Sequence, residues 1–513
     1  LAVGALVLLL IYRFLGVVAI VGLALNAAFL YAVILLFDVT LTLPGFAGMI
    51  LAIGVAADAN IVIFERIKEE AAARKSVRAA ISSGYKKGFA TIVDANVVTA
   101  ITALILFAVA TGGVRGFAFM LLLGTAISIF TAVFATRALL GLLAGFSWFD
   151  NPRFMGASAQ KMARWQMFDA VGKRRIWFTI AGVLIALSIG SLIFKGLNLG
   201  IDFRGGTEIE FASERPVTPE AVTAEMRELG EPDAIVQGRG DESADGGFNE
   251  FTVRTEPLEP AGVREITGAV TEEFDAVQRG VRNVSASFSD QILRGALYAI
   301  LISFILITIY ISLRFQWRFA VPILRTIVND GLIAIGIYSF AGKEVSAATV
   351  AAFLTIIGYS IYDTIIIFDR VRENLPIMRR SSIKTIINTS LWETVRRSLA
   401  TTIITLLPVG ALYLFGGEVL QDFSFAILIG IGISAFSTIF IAAPFLAVLL
   451  EHAPEYKGRK ALDDEPVGAP IEGEPGPVPV GAVDEGVVTP VGVSIGRYTS
   501  PSSASAVICV HTP

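Results

Sequence analysis

The sequence predicts a polytopic α-helical membrane protein made of two parallel, pseudo-repeated transmembrane bundles. A small extracytoplasmic α+β domain of ferredoxin-like type is inserted in the second half. Three observations carry this: apolar blocks of membrane-spanning length, a one-sided distribution of basic residues, and an internal repeat. Of the 513 residues, 54% are hydrophobic and 17% charged, where a soluble protein carries about a quarter charged.

A span needs about 20 apolar residues. The blocks 16–37, 46–64, 95–112, 116–136, 176–195, 293–313, 319–341, 345–368, 398–415 and 423–450 qualify, the seventh despite Arg325 and Asp330. Lys and Arg crowd 66–87, 153–175 and 370–397, which marks these segments as cytoplasmic. Alternation then places 197–290, with eight arginines, no lysine and about twenty acids, on the outer side. We expect a first half at 1–145 with about five spans and a cytoplasmic linker at 146–175. The second half then runs from a first span at 176–196, through the outer domain at 197–290, to a five-span bundle at 291–452. The chain starts inside an apolar run, LAVGALVLLLIY, so we expect the first half to be truncated and its native amino terminus to lie upstream. Residues 453–513, rich in Pro, Gly and Val, read as a disordered cytoplasmic tail.

In the outer segment, GTEIEFAS reads as a strand and TPEAVTAEMRELG as a helix with Thr218 at its N-cap. DAIVQGR and FNEFTVRTE read as strands, EPAGVREITGAVTEEF as an amphipathic helix and VRNVSASFS as a last strand. The order βαββαβ is the split-βαβ pattern.

The repeat pairs DANIVIFERIKEE (58–70) with YDTIIIFDRVREN (362–374). Upstream, VAIVGLALN (18–26) pairs with VPILRTIVN (321–329). Downstream, KKGFAT (86–91) pairs with RRSLAT (396–401), and GGVRGFAF (112–119) with GGEVLQDFSF (416–425). Both halves start outside and end inside, which makes the repeat parallel.

Cys509, His452 and His511 all follow the last span. A Ser-His or Cys-His dyad, or a His/Cys zinc site, is thereby excluded from the bundle. No catalytic residue, metal, cofactor or nucleic-acid partner is expected. The candidates are instead Asp58 and Asp363, each inside an apolar helix, where a charge costs about 2.5–3.5 kcal/mol. Asn60, Ser360 and Thr364 flank them; Asp94 and Asn96 lie on the helix after Asp58, and Arg397 opens the helix after Asp363. Each acid reads either as a proton or ion site or as a structural hydrogen bonder. Arg397 reads either as a partner that keeps Asp363 ionised or as a marker of the cytoplasmic boundary.

DANIVIFERIKEE, preceded by LTLPGFAGMILAIG, resembles the SecD signature of bacterial protein-export membrane proteins. GIDFRGGT (200–207), YSIYDTIIIFDRVREN and GGEVLQDFSFAILIGIGISAFSTIFIAAP resemble SecF. The likeness covers residues 1–450 and is to the fused SecDF form, with its RND-transporter-like plan. Tyr362 stands where the family commonly has Asn. The resemblance implies an accessory of the Sec translocase in the bacterial cytoplasmic membrane, driven by the proton motive force. Implied partners are the SecYEG channel, SecA, a YajC-like subunit, unfolded preproteins and the bilayer. The resemblance also assigns Asp58, Asp363 and Arg397 to proton passage. Rival readings are an RND-type efflux transporter, an intramembrane aspartyl protease and a passive scaffold.

Overall fold

The computed structural model describes residues 2–39, 41–73, 75–146, 168–240, 243 and 245–456. Most of the expected linker and nearly all of the expected tail, with Cys509 and His511, lie outside the described residues. In the first half, α1 (Ala2–Tyr12) and α2 (Phe14–Leu36) lead to α3 (Leu43–Ala72) and α4 (Val77–Val109). Next, α5 (Gly112–Phe130) passes through a π-helical turn, Thr131–Thr136, into α6 (Arg137–Leu143). The second half opens with α7 (Arg174–Phe194), β1 (Asn198–Leu199) and the single turn α8 (Ile201–Arg204). The outer domain follows as β2 (Gly206–Val217), α9 (Pro219–Glu228), β3 (Ile235–Arg239), β4 (Phe248–Thr255), α10 (Pro260–Phe274) and β5 (Ala276–Val284). The chain re-enters through α11 (Ala286–Arg314), α12 (Trp317–Phe340), β6 (Glu344–Val345), α13 (Ala347–Ile377) and α14 (Ile383–Phe415). It ends with α15 (Gly417–Ser437), a π-helical turn at Thr438–Ala442 and α16 (Ala443–Glu451).

Among the described residues, ten helices are long and apolar enough to span a membrane. Each overlaps one apolar block read from the sequence. α4 and α14 begin well before their apolar blocks, because Ser76 and Ser382 cap them on the cytoplasmic side. The Ser76 hydroxyl accepts from the Ala79 N–H at 3.4 Å, and that of Ser382 from Thr385 at 3.1 Å. Their polar first turns are helical, and hydropathy cannot see them. Arg397 therefore lies in the middle of α14 rather than at its start.

The outer domain has four antiparallel strands in the order β3-β4-β2-β5, the ferredoxin-like arrangement. Strand alternation sorts its two faces. Ile209, Phe211, Phe251 and Val253 pack with Val222, Met226, Ile266 and Val270 of α9 and α10. The opposite face carries Glu208, Glu210 and Arg254. Thr218 occupies the N-cap of α9, yet its hydroxyl makes no capping bond. Gly205 and Gly206 have φ of +74° and +126°, and a Cβ on Gly206 would sit 2.4 Å from the Thr255 carbonyl oxygen. Only glycine suits that turn. β1 pairs in parallel with β6, so the root of the outer domain is stitched to the loop before α13.

In the membrane body the halves meet with α3 against α14 and α4 against α13. By the repeat, α3 corresponds to α13 and α4 to α14, so one contact is the pseudo-symmetric copy of the other. The repeat extends further along the chain: continuing from Phe119 and Phe425, Gly124 corresponds to Gly430. A Cβ on Gly124 would lie 2.2 Å from the Ala52 Cβ, and one on Gly430 2.2 Å from the Ile356 side chain. Ala52 and Ile356 are themselves repeat equivalents. At the cytoplasmic end the pairing is reciprocal, as in an isologous interface. Arg66 forks onto Glu373 at 2.8 and 3.1 Å, and Arg370 reaches Glu69 at 3.6 Å.

Candidate functional site

The seam between the halves holds the site. Asp58 from α3, Tyr359, Tyr362 and Asp363 from α13, Thr401, Thr402 and Thr405 from α14 and Ser434 from α15 line one small void. Its volume is about 10 Å³, room for about one water. The local sequence allows this packing because Gly54 faces α14, with Thr405 the nearest side chain to its missing Cβ. Similarly, Gly358 lets α13 approach Thr99 and Thr102 of α4.

Asp363 is buried, and its Oδ1 accepts from the Ser398 hydroxyl at 3.2 Å. Tyr362 is within bonding reach of the Asp58 carboxylate. Arg397 is buried close to both acids without forming an ion pair with either. Its Nε and Nη2 have no hydrogen-bond partner among the described protein groups, and neither do Asp58 Oδ1 and Ser434 Oγ; the Tyr359 hydroxyl is within bonding reach of Thr405. Buried polar groups are ordinarily satisfied. A seam with four unsatisfied atoms, two carboxylates and a guanidinium is arranged for a mobile hydrogen-bonding species.

The remaining candidates lie elsewhere. Asp94 bonds Arg314 and Tyr310 of α11, at 2.6 and 3.1 Å, away from the void. Asn60 donates to the Ala56 carbonyl within α3 and accepts from Thr136 at 3.0 Å. Asn96 donates to Ile92 of its own helix. Thr364 pairs with Thr438 at 3.0 Å, and Ser360 turns toward Asp330 of α12. Sequence reading missed the cluster around Asp330. Its signal was a difference between the halves: the first residue past the VPILRTIVN match is Asp330, where the first half has Ala27.

Fold and site together define a polytopic membrane protein of two parallel repeats with ionisable groups buried at their seam. The SecD/SecF protein-export family profile (C-terminal region) matches residues 1–145 and 265–452, and the SecD/SecF GG motif matches 190–217. The chain is 36% identical over 466 residues to the SecDF protein translocase subunit of Bacillus subtilis, covering 86% of this chain and 62% of that one. It is 36% identical to the SecF subunit of Rhodothermus marinus, covering 56% of this chain and 94% of that one. The crystal structure of the translocon-associated SecDF of Thermus thermophilus superposes with a TM-score of 0.79 at 35% identity, covering 87% of this chain and 61% of that one. The chain belongs to the SecD/SecF protein-export membrane protein family, and it is a multi-pass protein of the bacterial cytoplasmic membrane. It spans about three-fifths of the length of these fused relatives.

Proposed function

We propose that this chain, as part of a complete SecDF, promotes export of unfolded preproteins through the SecYEG channel alongside SecA and a YajC-like subunit. We further propose that the proton motive force drives it through Asp58, Asp363 and Arg397. The observation that carries this reading is the seam. Two carboxylates from pseudo-equivalent helices share one void with a buried, unpaired guanidinium edge. A proton crossing the membrane releases about 2.3 kcal/mol per 100 mV, and a change of charge on Asp363 alters what α13 and α14 present to each other. The outer domain, rooted beside α13 through β1 and β6, is placed to follow that change.

The test uses a complete chain in vesicles holding the channel and SecA, with an imposed proton gradient. Asp363→Asn keeps shape and hydrogen bonding but cannot titrate near neutral pH. It should insert normally and lose gradient-stimulated export, while Asp363→Glu should keep part of it. Full stimulation by Asp363→Asn at wild-type protein levels would defeat the proton reading. Orientation has its own test: single cysteines replacing exposed Asp233 and Arg380, in a background with Cys509 replaced, should label from opposite sides of the membrane.

A further inference from the structure

Asp330 lies near the middle of α12 and is 2% exposed. Three donors from three helices converge on it. Ser360 of α13 and Ser437 of α15 reach Oδ2 at 2.5 and 2.8 Å, and its neighbour Asn329 reaches Oδ1 at 3.1 Å. Among the described residues no Lys or Arg forms an ion pair with it. Of the two basic residues on the same helix, Arg318 pairs with Glu455 at 3.1 Å, and Arg325 lies over the rings of Phe445 and Phe178. The fold does not require an acid there. In the first half the same corner is built from Asn26, which accepts from Thr131 at 3.1 Å. Thr131 is the repeat equivalent of Ser437, and the position of Asp330 is held by Ala27. Both corners abut a π-helical turn, Thr131–Thr136 and Thr438–Ala442, a distortion frequent at functional sites.

We infer that Asp330 is a second proton-carrying site, whose partner Ser437 lies one helical turn from Ser434 at the seam void. The proposal rests on the proton reading above and extends it by one carboxylate. Ser437 has a single hydroxyl hydrogen and two acceptors in range, Asp330 Oδ2 at 2.8 Å and the Ser434 carbonyl at 3.2 Å. With Asp330 ionised, Ser437 donates to the carboxylate. With Asp330 protonated, the carboxyl O–H donates to Ser437 Oγ, and Ser437 donates to the Ser434 carbonyl. Every group keeps a partner in both states, so the corner takes up and releases a proton without leaving a buried orphan. Ser434 itself belongs to the void that Asp58 and Asp363 share, and its Oγ has no partner among the described protein groups. The groups facing the carboxylate are donors, two hydroxyls and the Asn329 amide N–H, the arrangement of a proton site rather than an oxygen cage around a metal cation.

The experiment is infrared difference spectroscopy of the full chain in vesicles during a pH titration, read in the carboxylic-acid stretching region. Asp330→Asn should remove one titrating carboxyl band, distinct from the band removed by Asp363→Asn. Ser437→Ala, which keeps the acid and removes one of its three donors, should shift the Asp330 band without abolishing it. Asp330→Glu should restore a band at a displaced position. An unchanged spectrum in Asp330→Asn, or a band that responds to Na⁺ at constant pH and not to protons, would overturn the proposal. The spectrum does not depend on export. A failed export test therefore bears on the proposed function, and a failed titration bears on Asp330.

Discussion

In the first half, the corner made by Asn26 and Thr131 is neutral, and Ser128 satisfies its hydroxyl on the Thr125 carbonyl. In the second half, the same positions hold Asn329 with Asp330, Ser437, and a Ser434 whose hydroxyl is left unpaired. Farther along, Lys87 of the first half pairs with Glu70 at 2.6 Å in a cytoplasmic location, with its side chain 57% exposed. Its repeat equivalent, Arg397, is buried beside Asp363. One backbone plan thus serves twice: each copy gives the seam one buried acid, Asp58 and Asp363, and the second copy adds Asp330 and Arg397. A buried acid is expensive at membrane depth, so the presence of Asp330 in only one copy separates what the fold needs from what has been added to it.

The largest effect should come from removing the added cation. Arg397→Gln leaves Asp58 and Asp363 in the void with no positive charge near them. Gradient-stimulated export by a complete chain should fall at least about tenfold, equivalent to about 1.4 kcal/mol. Insertion should be preserved. Export at wild-type rates would mean that the asymmetry between Lys87 and Arg397 has no functional content.

The second half also carries the outer domain, and charge ties that domain to the head of α13. Arg254 of β4 bonds Glu208 at 2.9 Å and Gln237 at 3.1 Å, and it pairs with Glu344 of β6. Arg282 of β5 reaches Asp202 at 3.0 Å, and Asp202 accepts from the Ala347 N–H at the start of α13 at 2.9 Å. These links cross one edge of a cavity of about 490 Å³ between sheet and membrane body. Breaking a buried ion pair from one side costs about 3–5 kcal/mol. Arg254→Met, which strands Glu344 and leaves Glu208 only Arg282 at 3.4 Å, should lower the stability of the outer domain by roughly that amount in denaturant unfolding of the domain followed by hydrogen exchange. A cost below about 1 kcal/mol would show that the domain rides on the membrane body without this joint.

The same joint predicts a pH dependence. Burial pushes the Glu344 carboxyl up from 4.5 to about 7, against the favourable pull of Arg254; Glu208 adds to the rise, while Arg239 and Arg282 oppose it. Because the folded value is raised, the docked joint binds more protons than the unfolded chain. Its contribution to stability is full below about 4.5 and is lost as pH rises through about 7. Hydrogen exchange at β6 and β4 should therefore quicken between those values, on top of the intrinsic pH dependence of exchange. Glu344→Gln, fixed in the neutral form, should flatten that extra change; an identical slope in the variant would assign it to another group.

Much of this was legible in the chain. Hydropathy located the ten spans because burial in lipid demands uninterrupted apolar length, and alternation with turn chemistry located the strands of the outer domain. Asp58 and Asp363 were found because a charge in an apolar run stands out locally, Arg397 by its nearness in sequence to Asp363 and by the resemblance, and the structure brings the three together. The partners were not legible. That Asp94 turns to Arg314, or Ser360 to Asp330, depends on which helix lies alongside, and no local pattern encodes that. Thr218 stands at an N-cap without capping, because position along the chain does not set the direction of a hydroxyl. Asp330 stayed hidden because likeness between the halves drew the eye, and its meaning lies where the likeness ends at Ala27.

The smallest effect should be at the first-half counterpart of Arg397. Lys87 faces Glu70 across the cytoplasmic surface, and Glu70 also pairs with Lys75. An exposed pair contributes about 0–1 kcal/mol and is weakened by salt, and the second lysine remains to hold Glu70 when the first is lost. Lys87→Gln should therefore change stability by well under about 1 kcal/mol. Export in the gradient assay should stay near wild type, and raising the ionic strength should shrink even that difference. Measured beside Arg397→Gln in the same vesicles, it asks whether the repeat carries function in one copy or in both. If Lys87→Gln reduced export as far as Arg397→Gln does, the two basic positions would be working as a pair across the seam. The assignment of the seam's cation to the second copy alone would then be wrong.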